Sequence, residues 1–126
     1  MRLLLDTATL IYAVQYPERL SRRASQALRN LENALELSAV SVSEIAIKSA
    51  YGKLDFSLTT LERALGGLDI RILPYTGEHA VHMFDLPLHH RDPFDRQIIA
   101  QALAEEIPIV TPDEKFRKYD GVTVIW

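Results

Sequence analysis

Cysteine is absent from the 126-residue sequence, which excludes a disulfide framework, a thiolate zinc site and a thiol nucleophile. Long apolar runs are absent as well, since none approaches the ~20 residues that a membrane-spanning helix needs. The N-terminal sequence MRLLLDT reaches an aspartate too soon for a signal peptide. No low-complexity tract or internal repeat interrupts the chain. Together these absences predict a cytoplasmic protein with no membrane association.

An excess of positive charge is also lacking. The chain has 14 Lys and Arg residues against 17 Asp and Glu, a formal net charge of −3, whereas proteins that hold nucleic acid by bulk electrostatics usually carry a basic face. A nucleic-acid substrate would therefore need local cations or a metal ion. The 48% hydrophobic and 25% charged residues are ordinary globular proportions, and the length suits one domain over residues 1–126.

Short aliphatic segments alternate with segments of helical periodicity along the chain. The second predicted helix runs from Leu20 to Leu35, with leucines on one side and arginines on the other. Alternation of this kind favours a parallel or mostly parallel sheet that is covered by helices on both faces. The predicted strands are residues 2–5, 37–42, 70–73, 107–110 and 122–125.

The stretch HHRDPFDRQIIAQALAEE, residues 89–106, predicts a helix that begins at Asp92 and Pro93. Aspartate at the N-cap accepts backbone N–H bonds, and proline at the first helical position gives up a donor that has no intrahelical partner. Asp95 lies in the first turn, just before the apolar face, with no basic residue three or four positions later. Burying its carboxylate is costly unless a cation is present, so Asp95 is a candidate site residue. Helix capping alone is the alternative explanation for both aspartates.

Two further acids have local explanations of the same kind. Glu44 ends the sequence SVSE, which predicts a capping box from Ser41, and its carboxylate could instead pair with Lys48 one turn later. The sequence TPDE, residues 111–114, predicts a second capping box in which the threonine is the cap. Asp113 has no role in that box, so it also is a candidate site residue.

Four acids nevertheless share a position in the predicted architecture. Asp6, Glu44 and Asp113 fall where a strand gives way to a helix, and Asp95 opens a helix that precedes a strand. Because the carboxyl ends of strands meet at one edge of an open α/β sheet, we expect the four carboxylates to converge. Such a cluster needs raised pKa values or a cation, and an all-oxygen site suits Mg²⁺ or Mn²⁺. The pattern therefore predicts metal-assisted phosphoryl chemistry.

The four histidines suggest zinc, but a zinc site is disfavoured. No cysteine accompanies them, and the side chains of adjacent histidines point apart. We therefore interpret them as loop and surface residues. They are His79, His82, His89 and His90.

Four segments together resemble a known family. LLLDT, SVSEIAIK, HHRDPFDRQIIAQA and VTPDEKF, in this order and spacing, are similar to the PIN domain and, more closely, to the toxin nucleases of VapBC toxin–antitoxin systems. The resemblance covers nearly the whole chain. It implies a PIN-like three-layer α/β sandwich with a five-stranded, mostly parallel sheet, and Mg²⁺- or Mn²⁺-dependent endoribonuclease activity on RNA. It also implies a homodimer and a VapB-type antitoxin that inserts a basic residue into the acidic pocket.

The resemblance also implies roles for individual residues. Asp95 is taken as a direct ligand because it stands directly before the IIAQA helix, although Asp92 is the alternative. Arg and Lys residues near the acids in sequence are candidates for contacts with the RNA backbone, with solvated charge as the other interpretation. The implied metal-binding and catalytic acids are Asp6, Glu44, Asp95 and Asp113, the accessory residues are Asp92, Thr7 and Thr111, and the candidate RNA contacts are Arg91, Arg96, Lys48 and Lys115.

Two other functions fit an acidic pocket on a parallel sheet. A receiver-type signalling domain binds Mg²⁺ in such a pocket, but it needs a phosphoacceptor aspartate at the end of a central strand, where Val40 to Ser43 offers serines. A catalytically silent PIN-like domain that binds RNA or acts as a scaffold would more often have lost an acid, and this chain has all four.

Overall fold

A five-stranded, wholly parallel sheet forms the centre of the protein, whose computed structural model describes residues 1–126. The strand order is β3-β2-β1-β4-β5, so β1 is central and pairs with both β2 and β4. The predicted α/β class and five-stranded parallel sheet are therefore confirmed. The strands are β1 (Arg2–Leu5), β2 (Ala34–Ser38), β3 (Ile70–Leu73), β4 (Ile109–Val110) and β5 (Val124–Ile125).

Six α-helices and three short 3₁₀ helices connect the strands. None of these helices has the length and apolar character needed to cross a membrane. The α-helices are α1 (Thr7–Gln15), α2 (Arg22–Arg29), α3 (Ala39–Ala50), α4 (Leu58–Gly67), α5 (Gly77–Val81) and α6 (Pro93–Glu105), and the 3₁₀ helices are Pro17–Arg19, His82–Asp85 and Glu114–Lys118.

Side chains of the sheet alternate between two apolar cores, one on each face. Leu3 and Leu5 of the central strand belong to the core formed with α1, α2, α3 and α4. Leu4 belongs to the other core, which contains Ile98 and Ile99 of α6. All three leucines of β1 are fully buried, as expected for a parallel sheet with helices on both faces. The two cores fix the carboxyl edge of the sheet relative to the helices that begin there.

The predicted helix from Leu20 to Leu35 is wrong in its second half. Helix α2 ends at Arg29, Leu31 is 99% exposed and Leu35 lies within β2. The observed strand also starts three residues before the predicted one. A charged residue, Glu36, interrupts the apolar run of this strand, and only its tertiary contact with Arg2 explains why it is tolerated there.

The predicted capping box at Ser41 is wrong as well. Helix α3 begins earlier, and its N-cap is Ser38, whose hydroxyl oxygen accepts a hydrogen bond from the backbone N–H of Val40. Ser41 lies in the first turn of the helix and its hydroxyl contacts that of Thr7. Glu44 therefore has no capping function and projects from the second turn of α3.

A network of charged side chains lies toward the amino ends of the strands, at the opposite edge of the sheet from the candidate site. The guanidinium of Arg2 donates two hydrogen bonds to Glu36, at 2.7 and 2.9 Å, and a third to Glu105 at 2.9 Å. Glu105 also lies 3.1 Å from Nε2 of His79. These partners lower the pKa of the Glu105 carboxyl and raise that of the Arg2 guanidinium. His79 is buried in this network, so its interpretation as a surface residue is wrong.

We predict that Ser38→Ala lowers the free energy of unfolding by about 1 kcal/mol, because the N-cap bond to Val40 is lost. Ser43→Ala is the matched control, since Ser43 lies on the same helix and is exposed. Its effect should stay within about 0.5 kcal/mol. Urea denaturation of the three proteins measures the difference, and equal stabilities of the two variants would contradict the observed start of α3.

Candidate functional site

Asp6 ends the central strand and caps the first helix. Its Oδ1 accepts a hydrogen bond from the N–H of Thr9 at 2.8 Å, and its Oδ2 accepts one from the hydroxyl of Thr111 at 2.6 Å. The residue is only 2% exposed. Burial raises the pKa of Asp6 to about 6, although the bonds from Thr111 and Thr9 oppose the rise. The predicted neighbour Thr111 therefore contacts an acid of the cluster directly.

Glu44 reaches the same edge of the sheet from α3. Its Oε1 accepts a hydrogen bond from the hydroxyl of Thr7 at 2.7 Å, and the Thr7 hydroxyl lies 2.9 Å from that of Ser41. The other oxygen, Oε2, binds the ammonium group of Lys48. This is the pairing one turn later that the sequence offered as an alternative. Glu44, Thr7 and Ser41 are all buried, and Ser41 is a site residue that sequence reasoning assigned to capping instead.

The two aspartates of α6 have different surroundings. Oδ1 of Asp92 accepts bonds from the N–H groups of Phe94 at 2.8 Å and Asp95 at 3.3 Å, so Asp92 is the N-cap of the helix, as predicted. The carboxyl group of Asp95 takes no part in this cap. The one polar contact of its carboxyl group is with Nε2 of His90, at 3.1 Å.

Asp95 is the centre of the acidic cluster. Burial is the largest cause that raises its pKa, to about 8, and the charges of four other carboxyl groups add to the rise. These groups belong to Asp92, Asp6, Glu44 and Asp113. The structure therefore brings together all four acids that the sequence singled out, with Asp92 beside them.

Asp113 follows β4 and is itself the N-cap of the 3₁₀ helix Glu114–Lys118. Its Oδ1 accepts a bond from the N–H of Lys115 at 2.9 Å. Thr111 is not the cap, because its hydroxyl donates to Asp6 and accepts from the N–H of Asp113 at 3.0 Å. The predicted capping role of Thr111 is thus wrong, and the threonine instead connects two acids of the cluster.

His90 is a site residue that the sequence did not reveal. It is 5% exposed, and its Nε2 lies 2.8 Å from Oδ2 of Asp113 and 3.1 Å from Oδ2 of Asp95. The interpretation of His90 as a surface loop residue is therefore wrong. The only sequence signal was its position two residues before the helix cap, which does not indicate where the ring points.

The basic residues near the cluster differ in whether their side chains are free to contact RNA. Arg91 and Lys115 are exposed, and Lys48 pairs with Glu44. The guanidinium of Arg96 instead donates to backbone carbonyls of the preceding loop, at 2.9 Å to Pro87, and to the Tyr119 hydroxyl at 3.3 Å. Arg96 thus holds the loop that carries His90.

The donor set of this site fits a hard divalent cation. Carboxylate oxygens of Asp95 and Asp113 lie within 4.8 Å of each other and of His90, so two charged groups would repel by roughly 3 kcal/mol at an effective dielectric of 20. The only Lys or Arg side chain paired with an acid here is Lys48. Several oxygen ligands with excess negative charge are what Mg²⁺ and Mn²⁺ prefer.

Comparison with known protein families agrees with this geometry. A family model described as the PIN domain matches residues 3–122. The chain belongs to the PIN domain family. The resemblance inferred from the four sequence segments is thereby confirmed, and this PIN domain extends over nearly all of the chain. No curated protein matches it by sequence.

Solved structures share the fold along the whole length of this PIN domain. DNA-bound VapBC from Salmonella typhimurium has a TM-score of 0.69 and 18% identity, over 98% of this chain and 96% of that one. VapBC2 from Rickettsia felis, bound to a DNA fragment from the promoter, has a TM-score of 0.67 and 18% identity over 98% and 97%. FitAcB from Neisseria gonorrhoeae has a TM-score of 0.67 and 21% identity over 97% and 95%. Because these identities are so low, the matches establish a common fold alone.

We predict that the stability of the metal-free PIN domain falls as the pH rises from about 4 to about 8. The pKa of an aspartate carboxyl is ordinarily 3.8, but in the folded protein the pKa of Asp6 is about 6 and that of Asp95 is about 8. In this window the folded state binds more protons than the unfolded state, so raising the pH favours unfolding. Urea denaturation in EDTA at several pH values measures the slope.

Asp95→Asn is the matched variant for this measurement, because the amide does not titrate. Between pH 6 and pH 8, Asp95 titrates and Asp6 has already lost its proton. The stability of Asp95→Asn should therefore not fall with pH in this range, and the variant should be at least as stable as the parent at pH 8. A parent whose stability is constant between pH 6 and pH 8 would contradict the raised pKa of Asp95.

Proposed function

We propose that this PIN domain is a Mg²⁺- or Mn²⁺-dependent endoribonuclease that hydrolyses RNA phosphodiester bonds. Its metal-binding and catalytic acids are Asp6, Glu44, Asp95 and Asp113. The observation that carries the proposal is the convergence of buried and partly buried carboxyl groups around Asp95, whose pKa rises to about 8. Such a cluster is unfavourable without a cation, and strongly perturbed carboxyls in a family of known fold indicate a functional site.

A bound divalent ion supplies an activated water and neutralises charge on the non-bridging phosphate oxygens during in-line attack. The protein residues orient the ligands for it. Thr111 holds one oxygen of Asp6, and Thr7 holds one of Glu44. Lys48 balances one negative charge and keeps its own proton, because the bond to Glu44 raises its pKa.

We assign contacts with the RNA backbone to the exposed basic residues beside the cluster. Arg91 directly follows His90, and Lys115 donates its backbone N–H to Asp113, so both lie at the rim of the site. Phosphate contacts of this type position a strand without reading its sequence. Lys48 is the third candidate, since its side chain is 40% exposed.

The receiver-type alternative fits the site less well. Asp6 does end the central strand, where a phosphoacceptor would stand, but it is 2% exposed and both of its oxygens accept hydrogen bonds. A buried carboxylate held on both oxygens is a poor nucleophile for phosphoryl transfer. The catalytically silent alternative differs from our proposal only in activity, and cleavage assays separate the two.

We also propose that this nuclease is the toxin of a toxin–antitoxin pair and acts as a homodimer in the cytoplasm. The solved structures with the same fold include VapBC complexes and a toxin–antitoxin complex from Klebsiella pneumoniae. An anionic pocket with raised carboxyl pKa values attracts a basic side chain. A VapB-type antitoxin that inserts an arginine or lysine there would displace the metal ion.

We predict that Mn²⁺ stabilises the protein relative to EDTA. An ion that binds only the folded cluster adds RT ln(1 + [L]/Kd), about 2.7 kcal/mol at a hundredfold excess over Kd. Thermal unfolding of the parent and of Asp95→Asn, each in EDTA and in millimolar Mn²⁺, measures the effect. The parent should gain stability and the variant should gain much less. Superimposed melts of the parent in both buffers would count against a preformed site.

RNA cleavage assays should distinguish the roles of Asp95 and Asp92, because Asp95 is a proposed metal ligand and Asp92 is the helix cap. We predict that Asp95→Asn lowers RNA cleavage by orders of magnitude, since the ion that activates water is lost or misplaced. Asp92→Ala should lose about 1 kcal/mol of stability and keep most of its activity. The assay uses total cellular RNA with Mn²⁺, and EDTA should abolish cleavage by the parent.

Glu62→Gln is the control for general effects of removing an acid, because Glu62 is exposed on α4. It should cut RNA at the parental rate. If Asp95→Asn cuts as fast as this control, the assignment of Asp95 is wrong. If the parent itself does not cut RNA in Mn²⁺ or Mg²⁺, the catalytically silent alternative is correct.

A further inference from the structure

The His90 ring is fixed from several sides. Its Nδ1 accepts a hydrogen bond from the backbone N–H of Asp92 at 3.1 Å, and its own backbone N–H donates to the hydroxyl of Tyr119 at 2.9 Å. The Phe116 ring meets it edge-on, with centroids 5.7 Å apart and an angle of 86°. A buried ring with these contacts has one orientation, so Nε2 points at the acids.

The contact with Asp92 also fixes where the ring proton lies. A backbone N–H can only donate, so Nδ1 must present its lone pair and the proton of the neutral imidazole is on Nε2. Nε2–H then donates to Oδ2 of Asp113 at 2.8 Å, while Oδ2 of Asp95 is 3.1 Å away. His90 thus donates its ring proton to Asp113, and the carboxyl group of Asp95 lies beside the same nitrogen.

We propose that His90 is a positioning residue of this site, a neutral donor that holds Asp113 next to Asp95, and is not a metal ligand. The inference rests on the proposed metal-dependent function. Ligation by Nε2 would need a lone pair on that atom. Because Nδ1 already accepts from Asp92, the ring would then carry no proton at all, or the contact at the start of α6 would have to break.

A neutral donor has a consequence that a cation at this place would not have. Lysine or arginine between Asp113 and Asp95 would neutralise one charge of the cluster and occupy the space of the ion. The imidazole brings the two carboxyl groups within 4.8 Å and leaves their negative charge available. Hydrogen-bond partners of ligating groups typically change metal affinity by about 10- to 100-fold when they are removed.

The test compares metal affinity in His90→Leu and His90→Gln by calorimetric titration with Mn²⁺ and with Mg²⁺. Leucine removes the donor, so the affinity should fall by about 10- to 100-fold. Glutamine can place an amide N–H near the position of Nε2, so it should restore most of the affinity. His82→Leu is the matched control, because His82 is partly exposed on the 3₁₀ helix His82–Asp85, outside the acidic cluster, and should keep the parental affinity.

A second measurement is made on the His90 ring of the unaltered protein, so it does not require a variant to fold. Nitrogen-15 NMR of the His90 imidazole should show a protonated Nε2 and an unprotonated Nδ1, both without metal and after saturation with diamagnetic Mg²⁺. Loss of the Nε2 proton on Mg²⁺ binding would make His90 a ligand and overturn the inference. A protonated Nδ1 in either state would overturn it as well.

The affinity data separate this inference from the proposed function. Parental protein that binds Mn²⁺ or Mg²⁺, with unchanged affinity in His90→Leu, refutes only the role of His90. Equal losses in His90→Gln and His90→Leu refute the donor role too, since a structural defect would then explain both. Parental protein that binds neither ion refutes the metal site itself, and the inference falls with it.

Discussion

Repulsion among carboxyl groups at one edge of a parallel sheet is the constraint on which the rest of this site depends. Asp6 and Asp113 lie just beyond the ends of β1 and β4, Glu44 lies in the second turn of α3, and α6 brings Asp95 close to all three. Burial of Asp95 disfavours its charged form, and the neighbouring carboxyl charges add to this effect, so its pKa rises to about 8. The fold tolerates this because two apolar cores hold the strands and helices from both faces. The packing of the two cores thus stabilises a fold that contains an unfavourable arrangement of carboxyl groups, and functional sites commonly have such local costs.

Neutral donors, more than cations, hold the acids in place. Thr111 binds Asp6 and Thr7 binds Glu44, while His90 binds Asp113. Each donor orients an oxygen without cancelling its charge. Lys48 is the exception, and it lies at the partly exposed side of the cluster. The result is a pocket whose carboxyl groups are held in place by hydrogen bonds that leave their charge available to the metal ion that we propose.

The opposite edge of the sheet uses the same side-chain types for a different purpose. There the carboxylates of Glu36 and Glu105 both accept hydrogen bonds from the guanidinium of Arg2, so each has a cationic partner. His79 accepts a backbone N–H at Nδ1 and presents Nε2 to Glu105, which is the geometry of His90 repeated at a structural site. The two edges differ in whether their carboxylates have cationic partners, and not in the presence of histidine or glutamate, and the edge that lacks most of these partners is the one that we propose as functional.

Local sequence patterns by themselves determined the fold class, the start of α6 at Asp92 and Pro93, and the positions of Asp6 and Asp113 just after strands. Each depends on interactions between near neighbours in the chain, such as a cap, a helical period or a strand end. Tertiary structure alone decided the start of β2, because Glu36 is stabilised by Arg2 from another strand. It also decided that Ser38 and not Ser41 caps α3, that Thr111 joins Asp6 to Asp113, and that the ring of His90 faces the acids. The hydroxyl of Ser41 contacts Thr7, and Glu36, Thr111 and His90 also have partners on other elements, up to 105 positions away. No local pattern encodes a contact at that separation.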